Sequence, residues 1–417
     1  MRRLLPCLAL ILSFQTAVLA QDDTLRVMVY NILQFPDPVP AGRADTLRNI
    51  IEDVQPQLLM VNELKSVAGS NAILDDALNA GGGSNWRAVP YETNSSSGSN
   101  LVNMVYYDQN LLSYYSHEVH RTGLRDINEY TFFFRGPFLA GHLDTTWVDV
   151  FVAHLKAGEN PSDIDERAEM ADTIVAAIDR NGPGRNIIFG GDLNVYTSTE
   201  PAYATLLDPG PDNALRDPID EAGPWSGNGS FADVHTQSTR TSPIFGDGAG
   251  GGIDDRFDQL LLSRNIMIGI SRLEYIEESY TAWGNSGDCF NSTILNCNSS
   301  TVPLDVRRSM FYMSDHLPVV LDLAVTYPIY STIEEADFSG VQLQWTAEGL
   351  LVNLDGLSGG RLDLFGIDGR LLGSQTVFQG VTVQQQQFAL NRSVPTAVVL
   401  RYSSPAGQVR SWKLLAP

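Results

Sequence analysis

The chain has 417 residues, 43% of them hydrophobic and 18% charged, with 27 Lys and Arg against 49 Asp and Glu for a formal net charge of −22. That length allows a sizeable core and more than one domain. The charge excludes a basic protein that wraps duplex nucleic acid with its own surface. An anionic substrate would need a local basic patch, or a metal cation recruited by carboxylates.

Met1-Arg2-Arg3 and the apolar run over 4–20, with Val18 and Ala20 ahead of Gln21, read as a cleavable secretory leader. Pro6, Ser13, Gln15 and Thr16 break that run, which argues against an anchor. With no other long apolar run, stable membrane insertion is not expected. A secreted or cell-surface protein is the expected context. Cys289 and Cys297 then remain, in a Gly/Asn/Ser-rich stretch without nearby histidine, which predicts a local disulfide rather than zinc.

In chain order, a β-rich run over 25–30 ends in Asn31, and helical spacing follows over 43–54 through Leu47, Ile50, Ile51 and Val54. A buried strand over 57–61 ends at Asn62-Glu63. A weaker helix at 68–79 stops at Gly81-Gly82-Gly83. Strands follow over 101–107 and 130–134, the latter ending at Arg135-Gly136-Pro137. A strand over 148–153 ends at His154-Leu155-Lys156. The clearest helix covers 162–180, with acids in its first turns and Arg180-Asn181-Gly182 at its end. The run 186–194, Asn-Ile-Ile-Phe-Gly-Gly-Asp-Leu-Asn, reads as a buried strand, a close-approach glycine pair, then Asp192 and Asn194. On extended backbone these two would face one pocket. The stretch 208–252 reads as surface loops, and strands over 257–262 and 318–325 complete the set.

Strands and helices mix without a regular βαβ repeat, which favours layered sheets flanked by helices. After Val325 the pattern changes. A link over 327–340 leads into 341–417, where alternating segments divided by Asp368-Gly369 and Pro405-Ala406-Gly407 read as a small all-β domain.

Polar residues at strand ends carry the chemistry. Glu63 after an apolar run wants a partner or a metal, the ordinary alternative being a helix cap or a pair with Lys65. With Asn31 beside it, the oxygen donors suit Mg²⁺, Mn²⁺ or Ca²⁺. Asp258 lies inside Arg256-Phe257-Asp258-Gln259-Leu260, where a histidine is the natural partner. Ser314-Asp315-His316-Leu317-Pro318 sets an acid beside an imidazole ahead of a strand. This set fits metal-assisted water attack at phosphorus, and no Gly-x-Ser-x-Gly elbow offers a serine-hydrolase route.

Seven stretches, in order, resemble the endonuclease/exonuclease/phosphatase superfamily, the group of DNase I, exonuclease III-type repair nucleases, inositol polyphosphate 5-phosphatases and bacterial sphingomyelinases. They are Val29-Tyr30-Asn31, Val61-Asn62-Glu63, Arg135-Gly136-Pro137, Ala153-His154-Leu155-Lys156, Gly190-Gly191-Asp192-Leu193-Asn194, Arg256-Phe257-Asp258-Gln259-Leu260-Leu261 and Ser314-Asp315-His316-Leu317-Pro318. The resemblance implies an α+β fold, a four-layer αββα sandwich over 21–326 with the site atop two packed sheets. It implies that Glu63 binds the metal, Mg²⁺ first, with Asn31 and Asp315 near it. Asp192 would position or deprotonate water, Asn194 hold the phosphate, and His154 stabilise the transition state. His316, oriented by Asp258, would be the general acid-base partner, with Arg135 and Lys156 on the substrate.

A secreted nuclease acting on DNA or RNA is the leading expectation, favoured by Lys65, Arg135, Lys156 and Arg256 at strand ends. A phosphatase or sphingomyelinase-like phospholipase is the alternative; it would want exposed aromatic loops, for which Trp225 and Phe231 are the candidates. A catalytically silent surface binding protein is the alternative of another class. The tail, with Leu364-Phe365-Gly366-Ile367-Asp368-Gly369-Arg370 and the closing Arg410-Ser411-Trp412-Lys413-Leu414-Leu415, resembles a type IX secretion C-terminal sorting domain of exported bacterial proteins, which implies secretion machinery as a partner.

Overall fold

The computed structural model describes residues 22–37, 40–82, 84–96, 98–136, 145–208, 214–244, 247–327, 341–346, 349–355, 359–366, 369–378, 383–389, 397–405 and 409–415. The leader at 1–20, all but the first residue of the 327–340 link, Pro137, Asp368, Ala406 and Gly407 lie outside the described residues. The chain divides into two compact units, Met1–Pro328 and Ile329–Pro417.

The first unit runs β1 (Asp22–Phe35), α1 (Arg43–Val54), β2 (Leu58–Leu64), α2 (Val67–Ala72, continued by a π-helical turn over Ile73–Leu78), β3 (Trp86–Ala88) and β4 (Val102–Asp108). Next come β5 (Leu112–His120), β6 (Ile127–Phe134), β7 (Trp147–His154), α3 (Pro161–Arg180), β8 (Ile187–Asp192), α4 (Pro201–Leu207) and β9 (Leu215–Arg216). The unit closes with β10 (Asp258–Ser263), α5 (Arg264–Met267), β11 (Leu273–Tyr275), β12 (Thr281–Ala282), α6 (Leu304–Met313) and β13 (Val319–Thr326). One sheet has the order β11-β13-β1-β2-β4-β3, with β12 also on β13; the other is β5-β6-β7-β8-β10-β9.

The alternation along β7 shows how the layers form. Val148, Val150 and Val152 join a core with Val29, Met60 and Val105 of the first sheet, while Phe151 and Ala153 join a second with Met170 and Ile174 of α3 and Tyr203 of α4. Leu47, Ile50 and Val54 of α1 and Met310 of α6 belong to the first core. The order helix, sheet, sheet, helix is the αββα arrangement expected from the sequence. Each fully buried Val, Leu, Ile or Phe contributes about 1.5–3 kcal/mol, so the two-sheet core dominates stability. At the start of α3, the Asp163 carboxylate accepts from the Asn160 backbone N–H (3.2 Å) and side-chain amide (2.9 Å), with Pro161 opening the helix. Cys289 and Cys297 are disulfide-bonded.

Register then gathers the polar residues. Parallel β1 and β2 set Asn31 opposite Asn62, and parallel β7 and β8 set His154 opposite Asp192. Antiparallel β10 sets Asp258 opposite Asp192, and β13 begins with Val319 opposite Val29, so Asp315 and His316 precede it at the same end. Six strand ends therefore open on one edge of the sandwich.

The second unit contains β14 (Val341–Thr346), β15 (Gly349–Asp355), β16 (Arg361–Gly366), β17 (Leu371–Thr376), β18 (Val383–Ala389), β19 (Ala397–Ser403) and β20 (Val409–Leu415). They form two antiparallel sheets, β14-β15-β18 and β17-β16-β19-β20, with Leu350, Val352, Leu362, Leu364, Val398 and Leu400 in the core. Among the described residues no helix is long and apolar enough to cross a membrane.

Candidate active site

Asn31 is the hub. Its side-chain nitrogen donates to Glu63 Oε1 (3.1 Å) and Asp192 Oδ2 (2.9 Å) and lies 3.4 Å from His316 Nε2. Its oxygen accepts from the Leu33 N–H (3.0 Å), which fixes the amide's direction. Asn31 thus faces the acids as a donor, and the metal-ligand role implied for it by the resemblance is not the one this orientation offers.

Glu63 stands at φ +67°, a left-handed backbone that turns its carboxylate out of the strand, and its Oε2 accepts from the Gln34 N–H (3.0 Å). Burial, with the nearby Asp315 charge, pushes its carboxyl above the usual range. Asp192 is 2% exposed, and its carboxyl is pushed up to about 7, first by burial, with the charges of Asp258 and Glu63 adding and the charge of His316 and the hydrogen bond from Asn31 opposing. Asn194 sits at φ +49° and donates its backbone N–H to Asp192 Oδ1 (3.1 Å), its side chain donating to Leu155 O (3.3 Å). A turn rather than strand alternation brings these two together, because β8 ends at Asp192.

His316 is held at both nitrogens. Nδ1 lies 2.7 Å from Asp258 Oδ2, and Nε2 lies 2.7 Å from the Gln237 amide and 3.7 Å from Asp192 Oδ2. Burial opposes its charge, but Asp258, Asp192 and Asp315 together outweigh that and raise it well above an ordinary histidine. Ser314 fixes the segment: its Oγ donates to Asn31 O (2.7 Å) and accepts from the His316 N–H (3.1 Å). His154 goes the other way. Burial first, then Arg125 and His316, push it well below the usual value and keep the ring neutral. Its Nε2 lies 3.3 Å from Asp192 Oδ2 and its Nδ1 lies 3.9 Å from Glu63 Oε1.

A divalent cation fits this donor set. One ligand atom each from Glu63, His154 and Asp192 lies within 4.8 Å of the others, and the buried His154 Nδ1 has no hydrogen-bond partner. Asp315 Oδ1 is likewise buried and unpartnered, its Oδ2 accepting from the Ala249 N–H (2.6 Å). Two carboxylates and a neutral imidazole together could hold a divalent ion. The sequence-based set of Asn31, Glu63 and Asp315 thus overlaps the compact cluster only at Glu63.

The expected basic residues are mostly placed elsewhere. Arg135 lies past the end of β6 that pairs with the start of β7, about 30 Å along the strands from His154, and donates to Gln109 O (3.0 Å). It does not join the site. Lys156 pairs with Asp163 (2.7 Å) at the start of α3. Arg256 is buried, bonded twice to Asp217 (2.8 and 2.9 Å) between the Trp225 and Tyr280 rings. Trp225 is itself buried, its indole N–H donating to Glu221 O (2.7 Å), so it is no exposed lipid-facing loop residue.

The arginine that does reach the cluster is Arg125, just before β6, donating to His154 O (2.9 Å) and Leu155 O (2.6 Å). Its charge is felt at Asp192 and Glu63. Sequence reading missed it because it chose the other end of the same strand. Asn62 was also passed over: its Oδ1 accepts from the Asp192 N–H (3.0 Å), and its amide donates to Asn103 Oδ1 (2.8 Å) and Ala153 O (3.1 Å), tying the sheets under the site. The signal was available, since an amide inside the apolar run 101–105 needs a buried partner.

No family model and no curated protein matches the chain. Solved structures similar to it include "D. rerio TDP2 complexed with single strand DNA product" (13% identity, 72% of this chain and 98% of that one, TM-score 0.47). Others are the "human Nocturnin catalytic domain with bound sulfate anion" (14%, 74% and 98%, TM-score 0.47) and the "endonuclease/exonuclease/phosphatase from Beutenbergia cavernae DSM 12333" (16%, 94% and 100%, TM-score 0.42). None of these likenesses, at TM-scores below 0.5, assigns chemistry to the chain.

Proposed function

We propose that the chain is a divalent-metal-dependent phosphodiesterase of the endonuclease/exonuclease/phosphatase kind, exported by its leader, with DNA or RNA as its first substrate class. The observation that carries this reading is the Asp258–His316 pair (2.7 Å), joined through one Asn31 amide to Glu63 and Asp192. A serviced imidazole beside clustered acids suits displacement at phosphorus.

In this reading Asp192 orients the attacking water and takes its proton, with its carboxylate held by Asn31 and the Asn194 N–H. As the bond to the leaving oxygen breaks, His316 Nε2 hands that oxygen a proton while Asp258 keeps the ring aligned. Arg125 adds a positive charge felt at Asp192 and Glu63. Glu63, with His154, Asp192 and Asp315 around it, would hold the cation, which when bound offsets phosphate charge and polarises the phosphoryl group. The second unit is read as a sorting tail for secretion machinery.

A small or lipid phosphodiester is the second reading. It is favoured by the engagement of Lys156 and Arg256 in ion pairs and the remote placement of Arg135, which take three of the four expected basic residues away from a polymer. A substrate panel decides: plasmid DNA, RNA, sphingomyelin and bis-p-nitrophenyl phosphate, each with Mg²⁺ or EDTA. Mg²⁺-dependent cleavage of the polymers supports the first reading. Turnover of sphingomyelin or the small diester alone moves the substrate to the second, no turnover by wild type ends both in favour of a silent binding protein, and loss-free turnover of DNA, RNA or sphingomyelin by His316→Ala ends the role given to His316.

A further inference from the structure

Gln237 carries no role in the reaction above, yet its carboxamide nitrogen is 2.7 Å from His316 Nε2, nearer than Asn31 at 3.4 Å or Asp192 at 3.7 Å. It also reaches Asp315 Oδ2 at 3.5 Å. With Asp258 on Nδ1, the imidazole is clamped at both nitrogens.

The backbone beneath it is laced on two sides. The Gln237 carbonyl accepts from the N–H groups of Asp254 and Asp255, and its own N–H donates to Asp255 O. On the other side Leu317 N–H donates to Thr236 O, and Thr239 N–H donates to Asp315 O. Thr236, Ser238 and Thr239 are at most 1% exposed, whereas Gln237 is half-buried, so its side chain is the one of this run open to solvent. A rigid loop therefore delivers one adaptable side chain to the outer nitrogen of the catalytic imidazole.

Nε2 offers a single in-plane hydrogen-bonding position. A carboxamide can serve it either way: its NH₂ donates to a ring lone pair, and after a half-turn its oxygen accepts from a ring N–H. A leaving oxygen that takes a proton from Nε2 needs that same position.

We propose that Gln237 is a positioning residue: it holds the His316 ring with Nε2 turned to the substrate side and yields that position to the leaving oxygen at each turnover. This rests on the phosphodiesterase reading above. The step balances as before: water's oxygen bonds to phosphorus, Asp192 takes its proton, the bond to the leaving oxygen breaks, and that oxygen takes the Nε2 proton.

The test compares two diesters that differ in how much their leaving group needs a proton. p-Nitrophenolate departs unaided, whereas the phenolate of diphenyl phosphate is far more basic. Gln237→Ala should lose about tenfold in kcat on diphenyl phosphate and about twofold or less on bis-p-nitrophenyl phosphate, with KM within about twofold on both. Gln237→Glu, of the same length and able to accept from Nε2–H, should regain most of the diphenyl phosphate rate. A thermal melt confirms that each variant is folded. Equal losses on the two diesters, no loss on either, or no recovery with Gln237→Glu overturns the assignment while leaving the phosphodiesterase intact. If wild type hydrolyses neither diester with Mg²⁺, or His316→Ala matches it on diphenyl phosphate, the underlying reading has failed first.

Discussion

Arg125 and Arg135 bracket the same strand, and the register of β6 against β7 decides which one matters. Arg125→Ala should lower kcat/KM by about 10–100-fold, whereas Arg135→Ala should leave it unchanged, measured on bis-p-nitrophenyl phosphate. Asp258→Asn keeps the shape but removes the charge beside His316 Nδ1, and a loss of about 10²-fold or more in kcat is expected. Asp192 gives a pH signature. Its folded carboxyl sits near 7 against an ordinary 3.8, so the folded chain holds a proton that the unfolded chain has released between those values. That contribution favours folding at low pH and is lost as pH rises through about 7. In EDTA, Asp192→Asn should therefore gain on wild type between pH 5 and pH 8, by on the order of 1 kcal/mol in denaturant melts. A gap that shrinks over that range contradicts the assignment. Of the residues themselves, Glu63, His154, Asp192, Asp258 and His316 were legible because acids and imidazoles at the ends of apolar runs need partners. The direction of the Asn31 amide and the reach of Gln237 were not, since both depend on contacts across 32 to 285 residues of chain or on an irregular loop.

Elements with one clean period could be read from the sequence. The helices predicted over 43–54 and 162–180 are α1 and α3 to within a residue, because each carries a single apolar stripe with terminal signals. β5 was missed: it is a partly exposed edge strand whose sequence, Leu-Ser-Tyr-Tyr-Ser-His-Glu-Val-His, buries only its first and last residues. α6 was missed because it buries Arg307 and Ser309 among its apolar residues, blurring the stripe. The glycine pair in β8 has a packing cause that single-sequence reading could only guess. A Cβ on Gly191, at φ +155°, would lie 1.7 Å from Ala153 O, and one on Gly190 would lie 2.7 Å from Leu260 Cδ2. Gly191→Ala should force β7 and β8 apart, costing about 3 kcal/mol or more and displacing His154 from Asp192, as read by a thermal melt and by loss of turnover.

At the scale of the whole molecule, layering was legible from the irregular mix of strands and helices, while the order of strands within each sheet was not, since nothing local specifies which edges meet. Every site residue and both cores of the first unit precede residue 329. A chain ending at 328 should therefore keep kcat on a small diester within about twofold. The account depends most on one proposition, that the acids and the Asp258-held imidazole act together on a phosphoryl group with a divalent cation. Hydrolysis of diphenyl phosphate, whose leaving phenolate needs a proton, by the full chain, stripped with EDTA and reloaded with Mg²⁺, tests it directly with His316→Ala alongside. Activity lost on stripping, restored by Mg²⁺ and reduced by about 10²-fold or more in His316→Ala is the predicted result. Turnover that persists in EDTA, or that His316→Ala leaves untouched, would contradict it.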